Sequence, residues 1–349
     1  MMSRKLLAAL VAASCLGTSA FAQSILTAET AAPNTTPGIS IIALAEAAAQ
    51  AGIADIQVTS GQTLTNSVQN VAEGNTDIAA APFVLPFLLS RGVGPYAGLG
   101  EEAGAELASE LAVLYTYRIS VQGMYAYDSA GISGWDDLEG KTLYNGPPRG
   151  AALTNARLLV QTITGLEEGT GYTGVQVNWG QAVKTIQDGS ADAFVLPMAF
   201  PDPRVTAALA SGDMSIYSVP AETFEGEAFA NVSRLPGTVA FTMPIADMGY
   251  GDGVTVVSED DTFRGPATVG GDIVNVSMDF DMAKALTAAF IENIESIYFA
   301  KSAFMPSAWH GETDEALTDM CGNNPIKYHP GAVAAWEEAG YTLPDCATP

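Results

Sequence analysis

The stretch from Ile25 to Ala81, ILTAETAAPNTTPGISIIALAEAAAQAGIADIQVTSGQTLTNSVQNVAEGNTDIAAA, decides the fold. Ile25 to Thr27 reads as a strand, and Ala31 to Gly38, with two Pro, an Asn and two Thr, reads as a loop. The pattern then predicts an Ala-rich helix from about Ile39 to Ala51, a strand over Ile53 to Thr59, a helix over Leu64 to Glu73 and a strand over Asp77 to Ala81. Strands that alternate with helices specify an α/β architecture with mainly parallel sheets, because a parallel neighbour is reached only through a long crossover.

The same rhythm returns further along the chain. A strand is predicted at Lys141 to Tyr144, a helix at Ala151 to Thr164, a strand at Val175 to Asn178, a helix at Gln181 to Gln187 and a strand at Ala191 to Leu196. Between the two units, Tyr115 to Tyr127 is β-rich and long enough to cross from one to the other, and Ala267 to Met278 can carry the chain back. Met282 to Ala300 and Pro330 to Ala339 read as helices that complete the first unit. The expected division is a first lobe of residues 24–123 with 267–349 and a second lobe of 124–266, since the chain is longer than one core usually serves.

Composition narrows the function classes. Of 349 residues, 48% are hydrophobic and 15% charged, enough for a sizeable core. The 39 acidic residues outweigh 14 basic ones for a formal charge of −25, which repels phosphate backbones and anionic lipid surfaces. No nucleic-acid partner is expected. At the start, Arg4 and Lys5 precede the apolar run Leu6 to Ala13, and Ala20-Phe21-Ala22 offers a small-residue cleavage site. Residues 1–22 therefore read as a signal peptide cut before Gln23, and the protein as periplasmic; the apolar run is too short to span a bilayer. Removal of that segment takes two cations and no acid, so each remaining cation gains in significance. In an oxidising compartment Cys321 and Cys346 form a disulfide or remain two buried thiols.

Catalytic constellations are sparse. His310 and His329 lie near the C-terminus, remote in sequence from any Ser or Cys in a nucleophile-elbow context, and no zinc-type spacing of His and Cys occurs. His329 precedes Pro330 and so reads as the cap region of the last helix. The cluster Glu259, Asp260 and Asp261 lacks the EF-hand alternation and its Gly, and reads as a solvated loop. No catalytic residue, metal or cofactor is expected.

Two strand-to-helix turns are better suited to binding. Asn145-Gly146-Pro147-Pro148-Arg149-Gly150-Ala151 lacks the spacing and Lys of a nucleotide loop. Its backbone amides and Arg149 are suited to a carboxylate. Thr59-Ser60-Gly61-Gln62-Thr63, with Asn66 one helical turn on, offers hydroxyls and amides at the carboxyl end of a strand, although Ser60 or Thr63 would also serve as an ordinary helix cap.

The ordered motifs resemble a known family. Gly134-Trp135-Asp136-Asp137-Leu138-Glu139-Gly140-Lys141, Asp188-Gly189-Ser190-Ala191-Asp192-Ala193-Phe194 and Glu73-Gly74-Asn75-Thr76-Asp77-Ile78 are similar to elements of periplasmic solute-binding proteins. Ile326-Lys327-Tyr328-His329-Pro330-Gly331-Ala332, followed by Trp336-Glu337-Glu338-Ala339-Gly340, resembles the ending of the TAXI branch of TRAP (tripartite ATP-independent periplasmic) transporter receptors. Pro244-Ile245-Ala246-Asp247-Met248-Gly249-Tyr250 is similar to another segment of that branch. The resemblance implies a two-lobed periplasmic-binding-protein-like fold of type II. It also implies a ligand cleft between the lobes, delivery to the membrane subunits of a TRAP transporter, and a monomer.

The chain departs from the family where ligand is held. The Gly-rich turn after the first strand is replaced by Ala28-Glu29-Thr30-Ala31-Ala32-Pro33-Asn34-Thr35-Thr36-Pro37-Gly38, and the second-lobe turn has Arg149 and Ala151 in place of hydroxyls. The leading expectation is a carboxylate-bearing ligand, an organic acid or amino-acid-like molecule, held by Arg149, Gly150 and Ala151 and by Thr59 to Thr63 with Asn66. Arg204 is a second candidate cation, unless Asp202 pairs with it at the surface. Among the aromatics, Trp179 and Phe200 are expected nearest the inter-lobe turns, and an aromatic-lined pocket would suit a less polar molecule. An exported α/β enzyme acting on a small molecule is the other competing reading.

Overall fold

The computed structural model describes residues 24–149, 151–308 and 311–349. Residues 1–22, read above as a signal segment, the expected cleavage position Gln23, Gly150 and His310 lie outside the described residues.

The first unit forms β1 (Ser24–Glu29), α1 (Thr36–Gln50), β2 (Ala54–Thr59), α2 (Leu64–Ala72) and β3 (Ile78–Pro82), with β1 paired in parallel to β2 on one side and to β3 on the other. Helix α1 starts at Thr36, three residues before the predicted start. Pro37 suits the first helical turn, and the Thr35 hydroxyl accepts the Gly38 N–H at 3.3 Å. After β3 come two helices that the sequence reading did not include, α3 (Val84–Arg91) and α4 (Gly100–Ser109). Between them Gly92 ends α3 in a left-handed conformation, φ 58°, where a Cβ would collide with the Gly100 backbone.

β4 (Leu111–Tyr127) then runs 17 residues, roughly 55 Å, into the second lobe. There follow β5 (Thr142–Tyr144), α5 (Ala151–Thr164), β6 (Thr173–Val175), α6 (Ala182–Gln187), β7 (Ala193–Met198), α7 (Pro203–Ala208), β8 (Met214–Tyr217), α8 (Ala221–Glu225), α9 (Glu227–Ser233), β9 (Thr238–Pro244) and β10 (Val254–Val257). The strand predicted over Val175 to Asn178 ends at Val175. Beyond it the chain bends around the β5 turn, with the Val177 N–H donated to the Gly146 carbonyl. β11 (Thr262–Asn275) returns to the first lobe, which α10 (Phe280–Asn293), α11 (Met305–Ala308), α12 (Glu315–Thr318) and α13 (Pro330–Glu338) complete. The helix predicted from Met282 to Ala300 is interrupted after Asn293 by a π turn at Ile294–Tyr298.

The sheet is mixed rather than mainly parallel. Its path is β2-β1-β3-β11-β4-β7-β5-β6, parallel toward both ends and antiparallel where β11 and β4 meet. The second lobe has a separate apolar cluster around Trp135, Leu159, Tyr217 and Phe229. His329 caps α13: its Nδ1 accepts the Gly331 N–H and its Nε2–H donates to the Met278 carbonyl, both at 3.1 Å. Cys321 and Cys346 are joined in a disulfide, their Cα atoms 5.4 Å apart.

Candidate functional site in the gap between the lobes

Strand direction locates the gap. β3 runs with β4 and ends at Pro82, opposite Gly270, which in turn lies opposite Tyr117 of β4. β7 runs against β4 and ends at Met198, opposite Val121. The carboxyl ends of the two parallel strand sets therefore face each other, and only Arg118, Ile119 and Ser120 separate them, about 10 Å of strand. Ligands of open α/β sheets bind at such carboxyl ends.

A bulge marks the same three residues. On β11, Val269 pairs with Arg118 and Thr268 with Ser120, leaving Ile119 as an extra residue whose carbonyl accepts the Thr36 hydroxyl from the first turn of α1. The bulge turns Arg118 and Gln122 to opposite faces of β4. Side chains of directly opposed residues share a face, so Arg118 lies with Val269 and Gln122 lies with Thr268.

On one face the Arg118 guanidinium donates from Nε and Nη2 to the Ser307 carbonyl and stacks 4.0 Å from the Phe241 ring. Burial lowers its pKa to about 10, against a partial pull upward from Glu312, so it stays cationic at neutral pH. The Ser307 hydroxyl of the first lobe accepts the Phe200 N–H of the second at 3.1 Å, which ties the two lobes across the gap.

On the second-lobe side the Asn145 turn is held from beneath. Asn145, 1% exposed, donates from Nδ2 to Glu168 Oε2 at 2.7 Å and accepts from Gln176 Nε2 at 2.8 Å; Arg157 grips the same carboxylate with two bonds of 2.9 and 2.7 Å. The Arg157 hydrogen bond is the main cause holding the Glu168 pKa below the usual carboxylate range. This network fixes the turn that leads to α5. Arg149, exposed on that turn, makes no ion pair among the described residues.

The other sequence-selected residues are placed as follows. Thr59 to Thr63 and Asn66 form a largely exposed turn beyond β2 at the sheet edge. The amides of Gly61 and Gln62 are already donated to the carbonyls of Ala31 and Thr30, while Thr63 makes no side-chain cap bond to α2. No hydrogen bond or ion pair among the described residues joins this turn to the Asn145 turn. Trp179 is 46% exposed, whereas Phe200 is 2% exposed. Phe200, two residues beyond the end of β7, packs against Phe241 of β9, Phe263 of β11 and Tyr250. Arg204 is paired with Asp202 at 2.6 Å, in the interior rather than at the surface, and also donates to the Pro197 carbonyl.

Sequence reading passed over Arg118, Gln122 and Glu168. The signal in β4 was visible: LAVLYTYRISVQGMYAY carries just two long polar side chains, Arg118 and Gln122, in an otherwise apolar crossing strand.

Two parallel α/β units are carried on a shared antiparallel strand pair, and the carboxyl ends of their strands face each other across a gap. Residues 36–340 match the NMT1-like family, and the chain belongs to that family. Among solved structures it resembles the periplasmic aliphatic sulphonate binding protein of Escherichia coli (13% identity, 82% of this chain and 76% of that one, TM-score 0.44). It also resembles a TRAP periplasmic solute binding protein from Pseudomonas aeruginosa with bound L-malate (10%, 81% and 87%, TM-score 0.42). A third likeness is to a TRAP periplasmic solute binding protein from Desulfovibrio salexigens with bound orotic acid (10%, 93% and 88%, TM-score 0.43). No curated protein matches the chain. No helix among the described residues is long and apolar enough to cross a membrane.

Proposed function

We propose that this protein is an exported solute receptor of the TAXI type that captures a small organic acid or amino-acid-like molecule and delivers it, unaltered, to the membrane subunits of a TRAP transporter. The observation that carries the reading is the pair of facing carboxyl ends, with the exposed Arg149 leading into α5 on one side. Helix α5, 14 residues long, offers its free N–H groups and positive dipole end to an anion, and Arg149 adds a forked cation. In this reading Gly150 and Ala151 contribute backbone donors, and the Thr59 to Thr63 turn with Asn66 closes on the ligand from residues 24–123 and 267–349. Residues 124–266 form the other lobe. The mature chain begins at Gln23 and acts as a monomer in the periplasm. Closure is a population shift, since a ligand that touches both lobes binds the closed form better.

The test follows tryptophan fluorescence during titration with mono- and dicarboxylates, together with mass spectrometry of small molecules carried through purification. Saturable binding without product is expected, and Arg149→Ala is expected to weaken it roughly tenfold, the loss of one charge-assisted hydrogen bond. Unchanged affinity in that variant removes Arg149 from the site. Turnover of the bound molecule replaces the receptor by an enzyme.

A further inference from the structure

The face of β4 opposite Arg118 holds a group that the reading above leaves unused. Gln122 is 5% exposed, and its Nε2 has no hydrogen-bond partner among the described residues. A buried amide donor is costly to leave without an acceptor. Gln122 lines a hollow of about 10 Å3 together with Asn155, Thr238 and Thr268, against an apolar wall of Leu158 and Val232. None of the residues lining it is charged. Two carboxamides and two hydroxyls both donate and accept, so they suit a neutral polar group; a second carboxylate placed there would lose its water without meeting a cation. The space admits about one oxygen-sized group.

The hollow shares α5 with the proposed anion site. Asn155 stands four residues beyond Ala151, the first residue of α5, about 6 Å along the helix axis from the end that the Arg149 turn enters, a span that a small acid covers. We infer that the hollow takes an uncharged oxygen of the bound acid, a hydroxyl or keto group, so that the receptor selects hydroxy or oxo acids over their unsubstituted counterparts. This deepens the carboxylate reading and rests on it.

Isothermal titration of the full chain with matched pairs, L-malate and succinate, L-lactate and propionate, citrate and tricarballylate, tests the inference. In at least one pair the hydroxy acid is expected to bind roughly tenfold more tightly. Gln122→Met, which conserves volume, is expected to bring that pair within about twofold while leaving the unsubstituted acid's affinity in place. Thr268→Val probes the same hollow from β11, and carries the test alone if Gln122→Met fails to fold. Acids that bind without preference, or a preference that survives both variants, overturn the inference and leave the carboxylate reading standing. If no acid binds, the carboxylate reading falls and the inference with it.

Discussion

Asp272 shows how much one side chain can hold in this molecule. It lies fully buried on β11, where its carboxyl accepts hydroxyl bonds from Ser40 at 2.5 Å, Tyr115 at 2.6 Å and Tyr117 at 3.0 Å, with Tyr298 close by and no cation paired to it among the described residues. Burial raises its pKa to about 7, and the three hydroxyl bonds offset only part of that rise. An acid whose folded pKa lies above its unfolded one holds its proton in the native state, so its contribution to stability is complete below about pH 4 and is lost as pH rises to about 7. Asp272→Asn removes that dependence. Thermal melts from pH 5 to pH 8 are expected to show the variant gaining on wild type by a few kcal/mol as pH rises, and parallel curves would refute the assignment. Ser40 and Asp272 are 232 positions apart, which is why no local pattern in the sequence could announce the cluster.

Elements with local signals were legible, and those organised by distant partners were not. The strands and helices between Ile25 and Ala81 were read because hydrophobic periodicity and capping residues are local, and the boundary displaced furthest, the start of α1, turns on Pro37 and Gly38. Gly38 is required there, since a Cβ would run into the Ala32 carbonyl oxygen. Gly38→Ala is expected to lower stability by about 2 kcal/mol or more in urea unfolding, with unchanged stability counting against the close approach. The Asn145 turn was singled out correctly as a strand-to-helix connection, but the network that shapes it reaches 23 residues to Glu168. Arg118 and Gln122 were missed because the bulge at Ile119, which aims them apart, exists only once β4 has paired with β11. The disulfide is an element-scale tie: Cys321→Ser with Cys346→Ser opens a link across 25 positions and is expected to cost about 3 kcal/mol, measured by denaturation in parallel with reduced wild type.

At the scale of the whole molecule, the lobes are linked by β4 and β11 and fastened across the gap by a few polar contacts. Ser307 accepts from Phe200 on one side, and on another the Asp319 carboxylate accepts the Gly237 N–H at 2.7 Å. Ser307→Ala removes the first fastening without touching either turn. Small-angle scattering of that variant is expected to report a larger radius of gyration than wild type in the absence of solute, and identical profiles would show that the contact does not hold the lobes together. The long strands also govern assembly. Because α10 and α13 pack beside strands made far earlier in the chain, the first lobe remains half-built until the final helices emerge. Truncation near Pro330 removes α13 from α10 and β4, and so strips cover from regions hundreds of positions upstream.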